Sequence, residues 1–338
     1  MSALVPAPRV HAGARVLVLG WSSVLHGEAT AGDVLSMRAV ERALAAAGVA
    51  VDVAWSAVMR PAGGLVLAEA DPREYTHVVW ACGPLHGRPV LEVLERFAGC
   101  VRIAVGVSVL DAADPAVTGW DAVLPRDAPG AAPVLDLAAG PASQVQGPGG
   151  PGALPLIGVY LAPGQREYGV RRRHRQVTAA LGEWLRTTDA ARLDLDTRLD
   201  PRSWRSPSSA EQVLAVVGRL DAVVSQRLHG LVLALARGVP VLAVDPVAGG
   251  GKVSDQAAAW GWPAVVSAEE VGAEEAGAEE AGAAVLTEQL TWCLSPAGRD
   301  AARAVAARAA GAGARDLALL VDQVRVPASD HTMITEPG

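Results

Sequence analysis

The chain has 338 residues, of which 51% are hydrophobic, and its formal net charge is −7. This length exceeds what one hydrophobic core normally covers, so we expect two domains. The acidic balance argues against a nucleic-acid-binding protein. Neither a secretion signal nor an apolar run of about 18 residues is apparent, which predicts a cytoplasmic protein without a transmembrane segment. The formation of a homo-oligomer is compatible with these properties.

The first half of the chain alternates short apolar runs with helical patterns, as an α/β domain does. The predicted strands are Val16 to Leu19, Val49 to Ala54, His77 to Ala81, Val101 to Val105 and Ala122 to Leu124. Helices are predicted near Val34 to Ala47 and Pro89 to Ala98. This alternation predicts an N-terminal Rossmann-like domain over residues 1–126.

Between residues 127 and 153, Ala, Pro and Gly dominate, which predicts an interdomain linker. A second alternation of strands and helices follows and predicts a C-terminal Rossmann-like domain over residues 154–325. Residues 326–338 are predicted to be a disordered tail. Two α/β halves predict two Rossmann-like domains facing a cleft, a GT-B-like architecture.

The segment from Asp221 to Asp245 predicts a β-α-β unit, with a helix between two apolar strands. In open α/β sheets, ligands collect beyond the carboxyl ends of strands, where a helix start favours negative charge. Arg227 adds a charged fork suited to phosphate or carboxylate, and His229 adds a group that exchanges a proton near neutral pH. The alternative is structural: Arg227 pairs with a carboxylate, and His229 fills a polar gap.

This segment resembles the polysaccharide pyruvyl transferase family, in which a strand ending in Arg-Leu-His-Gly precedes an apolar helix and a Gly-x-Pro-Val turn. The matching residues are Arg227, Leu228, His229 and Gly230, then Gly238, Val239, Pro240 and Val241. Near the N-terminus, the strand Val16 to Leu19 and the Gly32-Asp33 pair that opens a helix are also similar to the family. The resemblance extends over roughly residues 15–320.

The resemblance implies a transferase that moves a pyruvyl group from phosphoenolpyruvate to hydroxyls of a sugar-containing acceptor, forming a ketal and releasing phosphate. It implies polysaccharide biosynthesis and no cofactor beyond the donor. Arg227, Leu228 and Gly230 would bind the donor, and His229 is the candidate acid. Two alternatives stay open: a GT-B-type glycosyltransferase that uses a nucleotide sugar, and a non-catalytic ligand-binding relative. The non-catalytic alternative is motivated by the loop from Trp21 to Ala31, which is richer in side chains than the family's usual glycine-dominated turn.

Other candidates lie in loops that follow predicted strands. His26, Glu28 and Asp33 are candidates for activating an acceptor hydroxyl, with Gly32 beside them, although Asp33 is equally explained as a helix cap. His86 follows the strand that ends at Ala81 and is a substrate-binding candidate.

Two further features concern anions and metals. By resemblance, Arg126 is a donor-binding candidate. The run Gly249 to Lys252 is similar to a phosphate loop but has Val253 where the hydroxyl belongs, which disfavours nucleotide hydrolysis. No set of His and acidic residues has the spacing of a metal site, so no metal is predicted.

Overall fold

The computed structural model describes residues 13–24, 29–140, 153–162, 164–271, 278–311 and 314–325. The chain divides into two compact units, Met1–Val145 (unit 1) and Gln146–Gly338 (unit 2). Each unit contains a parallel β-sheet with its own buried core. The predicted α/β class with two Rossmann-like domains is therefore confirmed.

Unit 1 contains a six-stranded sheet in which all paired strands are parallel. The strands are β1 (Arg15–Leu19), β2 (Ala50–Trp55), β3 (Leu65–Val66), β4 (His77–Ala81), β5 (Val101–Ser108) and β6 (Ala122–Asp127). Their order is β3-β2-β1-β4-β5-β6, the order of a dinucleotide-type doubly wound fold. The sequence pattern missed β3, because two residues are too few for a periodicity.

The helices of unit 1 are α1 (Trp21–Val24), α2 (Ala31–Ala46), α3 (Arg88–Arg96) and α4 (Pro115–Thr118). Fully buried Trp80 of β4 organises the core on one face of the sheet, with ring centroids 5.4 Å from Trp21 and 6.3 Å from Trp120. Trp21 packs edge-on against Trp80 and lies in the helical turn α1, at the start of the segment that we expected to be a loop.

Unit 2 contains a five-stranded parallel sheet. Its strands are β7 (Leu156–Tyr160), β8 (Ala191–Asp194), β9 (Ala222–Ser225), β10 (Val241–Val244) and β11 (Val265–Val266). Their order is β11-β10-β9-β7-β8, which is the flavodoxin-like order. All residues of β9 and β10 are buried, as expected for strands covered on both faces.

Helices connect these strands and complete unit 2. They are α5 (His174–Thr187), α6 (Ala210–Val217), α7 (Leu228–Ala236), α8 (Lys252–Trp260), α9 (Ala268–Val271), α10 (Ala278–Leu294), α11 (Pro296–Arg308) and α12 (Ala314–Arg325). Ser209 caps α6 by accepting a hydrogen bond from the Gln212 N–H. Within the described ranges, no helix has both the length and the apolar character needed to cross a membrane.

The segment between the two predicted domains differs from the expectation of a linker over residues 127–153. Asp127 ends β6, and residues 128–140 belong to unit 1, where Asp136 binds Arg126. Composition misled here, because one Asp side chain ties an Ala- and Pro-rich segment to the domain. Residues 141–152 of the predicted linker and the predicted tail lie outside the described residues.

Candidate functional site

The Arg227 segment lies where the strand order of unit 2 reverses. Strand β7 leads to β8 on one side of the sheet, and β9 pairs with β7 on the other side. Ligands of open α/β sheets bind in the crevice at this switch point, beyond the carboxyl ends of the two strands. Leu161 and Ala162 follow β7, and Gln226 and Arg227 follow β9. The topology therefore places the predicted anion-binding residues at the position where open α/β sheets bind ligands.

Arg227 is held in place by two groups at this edge of the sheet. Its Nε donates to the Leu161 carbonyl oxygen at 2.7 Å, and its Nη1 lies 3.2 Å from Oδ1 of Asp196. The side chain is 24% exposed. A guanidinium has five N–H donors, and these contacts leave some of them for a ligand. Arg227 therefore fits both alternatives, the structural one and the functional one: it pairs with the Asp196 carboxylate and still faces the site.

Helix α7 begins directly after Arg227 and presents unpaired backbone donors. The first bond at the helix start is from the Leu231 N–H to the Arg227 carbonyl oxygen. The N–H groups of Leu228, His229 and Gly230 have no acceptor among the residues that the structure describes. Such donors, together with the helix dipole, favour an anion.

Gly230 is needed for close packing under this helix start. A Cβ at this position would lie 2.2 Å from Ser225 Oγ and 3.1 Å from Tyr160 Cδ2. Ser225 Oγ in turn accepts from the Arg227 N–H at 3.0 Å and donates to the Arg227 carbonyl oxygen. The glycine of the Arg-Leu-His-Gly motif thus lets the helix approach β7 and β9 closely enough to position Arg227.

A cavity of about 230 Å³, which we call the Arg227 cavity, opens at this junction. Its lining residues are Ala162, Gly164, Gln165, Thr197, Arg198, Arg227, Leu228, His229 and Lys252. Three of them, Arg198, Arg227 and Lys252, have basic side chains, and none carries a carboxylate. His229 is exposed and has no hydrogen-bond partner within the described ranges. Two carboxylates outside the lining pair with these cations, Asp196 with Arg227 and Glu167 with Lys252 at 3.9 Å. The cavity is small and its own lining is basic, so a compact anion suits it.

The glycine-rich turn Gly249–Gly251 does not act as a phosphate loop in this structure. Buried Asp245 accepts hydrogen bonds from the N–H groups of Val247, Gly251 and Ser254 at 2.8–3.0 Å. A carboxylate therefore already occupies the donors at the head of α8. Of residues 249–252, only Lys252, the first residue of α8, lines the Arg227 cavity.

In unit 1, Asp33 closes a capping box at the start of α2. Its Oδ2 accepts from the Thr30 N–H and hydroxyl, both at 2.8 Å, and Thr30 Oγ1 accepts from the Asp33 N–H. Gly32 lies in the same turn. This geometry explains Asp33 without catalysis; its role as a base stays a prediction. His26 and Glu28 lie outside the described residues.

Arg126 is engaged on every nitrogen of its guanidinium. Nε donates to Asp127 at 2.7 Å, Nη2 donates to Ser108 at 2.6 Å, and Nη1 donates to Asp136. These bonds raise the pKa of Arg126 above its already high ordinary value. Two carboxylates around one cation leave a net negative cluster, which does not favour an anionic donor. Donor binding by Arg126 stays a prediction that this network argues against.

His86 is also paired. Its Nδ1 lies 2.8 Å from Oδ2 of Asp114, the N-cap residue of α4, and its side chain is exposed. A bond from the Ala116 N–H and the contact with His86 hold the pKa of Asp114 below its ordinary value. The pair therefore stabilises the loop after β4, and substrate binding by His86 stays a prediction.

Four residues in or beside the Arg227 cavity were not predicted from the sequence. Thr197 and Arg198 line the cavity, Asp196 pairs with Arg227, and Gln226 binds Ala162. Their sequence signal is their position directly after β8 and β9, because these strand ends share one edge of the sheet. Within the described part of the chain, no group of three or more His, Cys, Asp or Glu side chains could hold a metal ion.

Comparisons with known proteins support a family only around this site. A model of the family described as polysaccharide pyruvyl transferase matches residues 188–246. No curated protein matches the chain.

Solved structures give weak likenesses. A spinosyn rhamnosyltransferase complexed with thymidine diphosphate is 14% identical, with 90% of this chain and 100% of that chain covered and a TM-score of 0.32. The glycotransferase of kitacinnamycin is 14% identical, with coverages of 92% and 98% and a TM-score of 0.32. A UDP-GlcNAc 2-epimerase from Methanocaldococcus jannaschii is 10% identical, with coverages of 86% and 98% and a TM-score of 0.28. Scores this low support neither a donor nor an acceptor for this chain.

The family match begins just before β8 and ends just after β10. It thus includes Asp196, Arg227 and the start of α7, the parts that build one side of the Arg227 cavity. Over residues 188–246, the chain matches the polysaccharide pyruvyl transferase family, which confirms the resemblance that its sequence predicts.

Proposed function

We propose that the protein transfers a pyruvyl group from phosphoenolpyruvate to hydroxyls of a sugar-containing acceptor. One observation carries this proposal: a compact cavity at the switch point of unit 2 is lined by three cations and the open N-terminus of α7, with no carboxylate in its lining. The family match over residues 188–246 supports the reaction class.

Phosphoenolpyruvate suits the Arg227 cavity by charge and size. It carries a phosphate and a carboxylate on a three-carbon frame, so its site needs more than one source of positive potential. Arg227, Arg198 and Lys252 supply fixed charge, and the N–H groups of Leu228 to Gly230 supply directed donors. Because Asp196 and the Leu161 carbonyl hold Arg227, its remaining donors are oriented before the ligand arrives.

His229 is the proposed acid. A proton delivered from its imidazolium to the methylene carbon converts that carbon to a methyl group and leaves a cationic centre at the enol carbon. A first acceptor hydroxyl bonds to this centre and loses its proton. A second hydroxyl then displaces phosphate, which leaves with that hydroxyl's proton, and the ketal closes. General-acid catalysis of this kind typically contributes about 10²–10⁴ in rate.

The acceptor is proposed at the level of its class. The family description supports a polysaccharide or a sugar-containing precursor. In this proposal the candidate bases for the acceptor hydroxyl are His26, Glu28 and Asp33, which follow the first strand of unit 1. The capping box explains Asp33 structurally as well, so Asp33 must be tested against its role as a cap.

The proposal is tested by calorimetric titration of the full chain with phosphoenolpyruvate and, separately, with uridine diphosphate. The variants are Arg227→Ala and a matched control, Arg237→Ala, which removes an exposed arginine at the opposite end of α7. We expect phosphoenolpyruvate to bind the wild type and the control, and to lose at least about tenfold in affinity in Arg227→Ala, since a charge-assisted pair is removed.

Uridine diphosphate binding without phosphoenolpyruvate binding would replace this proposal with glycosyl transfer. Equal affinity of Arg227→Ala and wild type for phosphoenolpyruvate would remove the Arg227 cavity as the donor site. Release of inorganic phosphate from phosphoenolpyruvate in the presence of sugar acceptors then tests turnover, and it should stop in His229→Ala while donor binding persists.

A further inference from the structure

Two buried polar side chains of unit 2 have atoms without hydrogen-bond partners. His174, the first residue of α5, is 1% exposed, and neither ring nitrogen has a partner among the described residues. Gln226 is 2% exposed, and its Nε2 is likewise unpaired there. Buried polar side chains are nearly always hydrogen-bonded, so two exceptions in one unit require an explanation.

The two side chains adjoin the same part of the molecule. Gln226 Oε1 accepts from the Ala162 N–H at 3.0 Å and from Thr178 Oγ1 at 2.9 Å. Thr178 lies one helical turn after His174, so both are on one face of α5. Ala162 lines the Arg227 cavity. Gln226, at the carboxyl end of β9, therefore lies next to a residue of the cavity wall, and His174 lies on the face of α5 that carries the partner of Gln226.

A second connection joins His174 to the Arg227 cavity. Its ring centroid lies 6.5 Å from that of Tyr168, whose hydroxyl accepts from the N–H of Lys252 at 3.4 Å. Lys252 lines the cavity as well. His174 is thus connected to cavity-lining Lys252 through Tyr168. On its own helix face it is also connected to cavity-lining Ala162, through Thr178 and Gln226.

The charges near His174 come from Arg172, Lys252, Asp245 and Glu167. Burial, followed by the charge of Arg172, lowers the pKa of His174, and the two carboxylates oppose this shift only in part. The imidazole is therefore neutral near pH 7. In that form it offers one N–H donor, beside the two N–H groups on Gln226 Nε2.

We propose that His174 and Gln226 form a subsite that binds the carboxylate of the donor, next to the phosphate held by Arg227 and the start of α7. The inference rests on the proposed function. A carboxylate is acceptor-only and has two oxygens in one plane, which matches a pair of neutral donors. The phosphate, with more charge, is better served by the arginines and the helix start.

A purely structural role makes the opposite prediction for stability. If His174 held its neighbours through its ring nitrogens, replacing it with a residue without those nitrogens would destabilise unit 2. An unpaired buried donor is unfavourable in the free protein, so His174→Phe, which keeps a ring and removes the donors, should leave the melting temperature unchanged or raise it. Loss of ligand affinity without loss of stability is therefore the signature of a binding residue.

The test compares phosphoenolpyruvate with isopropenyl phosphate, in which a methyl group replaces the carboxylate. Calorimetric titrations use the full chain as wild type, His174→Phe, His174→Asn and Gln226→Glu. Gln226→Glu keeps the acceptor for Ala162 and Thr178 and replaces the donor with a negative oxygen. Gln212→Glu, on the exposed surface of α6, is the matched control for the added charge.

We expect wild type to bind phosphoenolpyruvate more tightly than isopropenyl phosphate. His174→Phe and Gln226→Glu should each weaken phosphoenolpyruvate about tenfold or more, as expected for a lost hydrogen bond to a charged group, and leave isopropenyl phosphate unchanged. His174→Asn, which retains a donor, should recover part of the affinity, and Gln212→Glu should bind like wild type.

Two results would overturn the inference while leaving the proposed function in place: equal wild-type affinity for the two ligands, or phosphoenolpyruvate affinity that neither His174→Phe nor Gln226→Glu changes. If His174→Phe fails to fold, Gln226→Glu decides alone. Wild-type protein that binds neither ligand would instead refute the proposed function, and the carboxylate subsite with it.

Discussion

Replacing Gly230 with Ala tests whether the motif glycine is required for packing. The added methyl group would lie 2.2 Å from Ser225 Oγ and 3.1 Å from Tyr160 Cδ2, both closer than van der Waals contact. Tyr160 is 1% exposed and cannot withdraw into solvent. Ser225 could rotate only by giving up its bonds to the Arg227 backbone, each contributing about 0.5–1.5 kcal/mol.

The expected magnitude follows from opposing effects. Overpacking a buried site typically costs about 1–3 kcal/mol, and Gly→Ala in a helix gains about 0.5–1 kcal/mol. We therefore expect Gly230→Ala to destabilise unit 2 by about 2 kcal/mol. Gly182→Ala is the matched control, because Gly182 lies in α5 with nothing within 4 Å of the added methyl group. It should stabilise the helix by about 0.5–1 kcal/mol.

The assay must report on unit 2 alone, because denaturation of a two-unit chain combines two transitions. Hydrogen–deuterium exchange of peptides that cover residues 220–245 gives the local free energy of opening. Gly230→Ala should exchange faster there, and Gly182→Ala should not. If residues 220–245 exchanged as slowly in Gly230→Ala as in the wild type, the close approach of α7 to β7 and β9 would not require a glycine at position 230.

Three further predictions concern buried or capping residues. Asp245→Ala should destabilise unit 2 by about 1–3 kcal/mol, since three N–H donors, one buried and two part-buried, lose their acceptor; unchanged exchange at the start of α8 would contradict this. Burial lowers the pKa of His174 in the folded chain below its ordinary value of 6.5. Below that pH the unfolded chain therefore binds more protons than the folded chain does. The free energy of unfolding of unit 2 should thus be at its full value above pH 6.5 and decrease as the pH falls. Unfolding of unit 2 measured from pH 8 to pH 5 should show this slope in the wild type and not in His174→Gln, and equal slopes would refute the assignment. Thr30→Ala should cost about 0.5–2 kcal/mol by opening the capping box; if Asp33 is only a cap, Asp33→Ala will show a similar loss and keep phosphate release at the rate of Thr30→Ala.

The architecture could be predicted well from sequence because its signals are local. The alternation of apolar runs and helical patterns indicated strands such as β9 and β10 and the helix between them, with boundaries within a few residues of those observed. The short strand β3 and the helical turn α1 were missed because neither is long enough to show a periodicity. Residues 128–140 were assigned to a linker because composition does not reveal that Asp136 binds Arg126.

The candidate site was predicted only in part, for a different reason. That Arg227 and His229 follow a buried strand and begin a helix is a local property, readable from the sequence alone. The partners of these residues are distant in sequence: Asp196 is 31 residues from Arg227, and Thr178 is 48 residues from Gln226. No local pattern specifies such pairs, since they exist only once parallel strands align at one edge.

The sequence by itself thus determined the β-α-β unit, the charge at its strand end and the family that this segment resembles, because each depends on residues close together in the chain. Tertiary structure decided which cationic side chains keep hydrogen-bond donors available for a ligand. Arg126 and Arg227 look alike in sequence, each at the end of a strand. The fold surrounds Arg126 with two carboxylates and a hydroxyl, whereas Arg227 meets one carboxylate, one carbonyl and an open cavity. The difference arises because hydrogen-bond saturation is set by the neighbours that folding brings together, not by the residue itself.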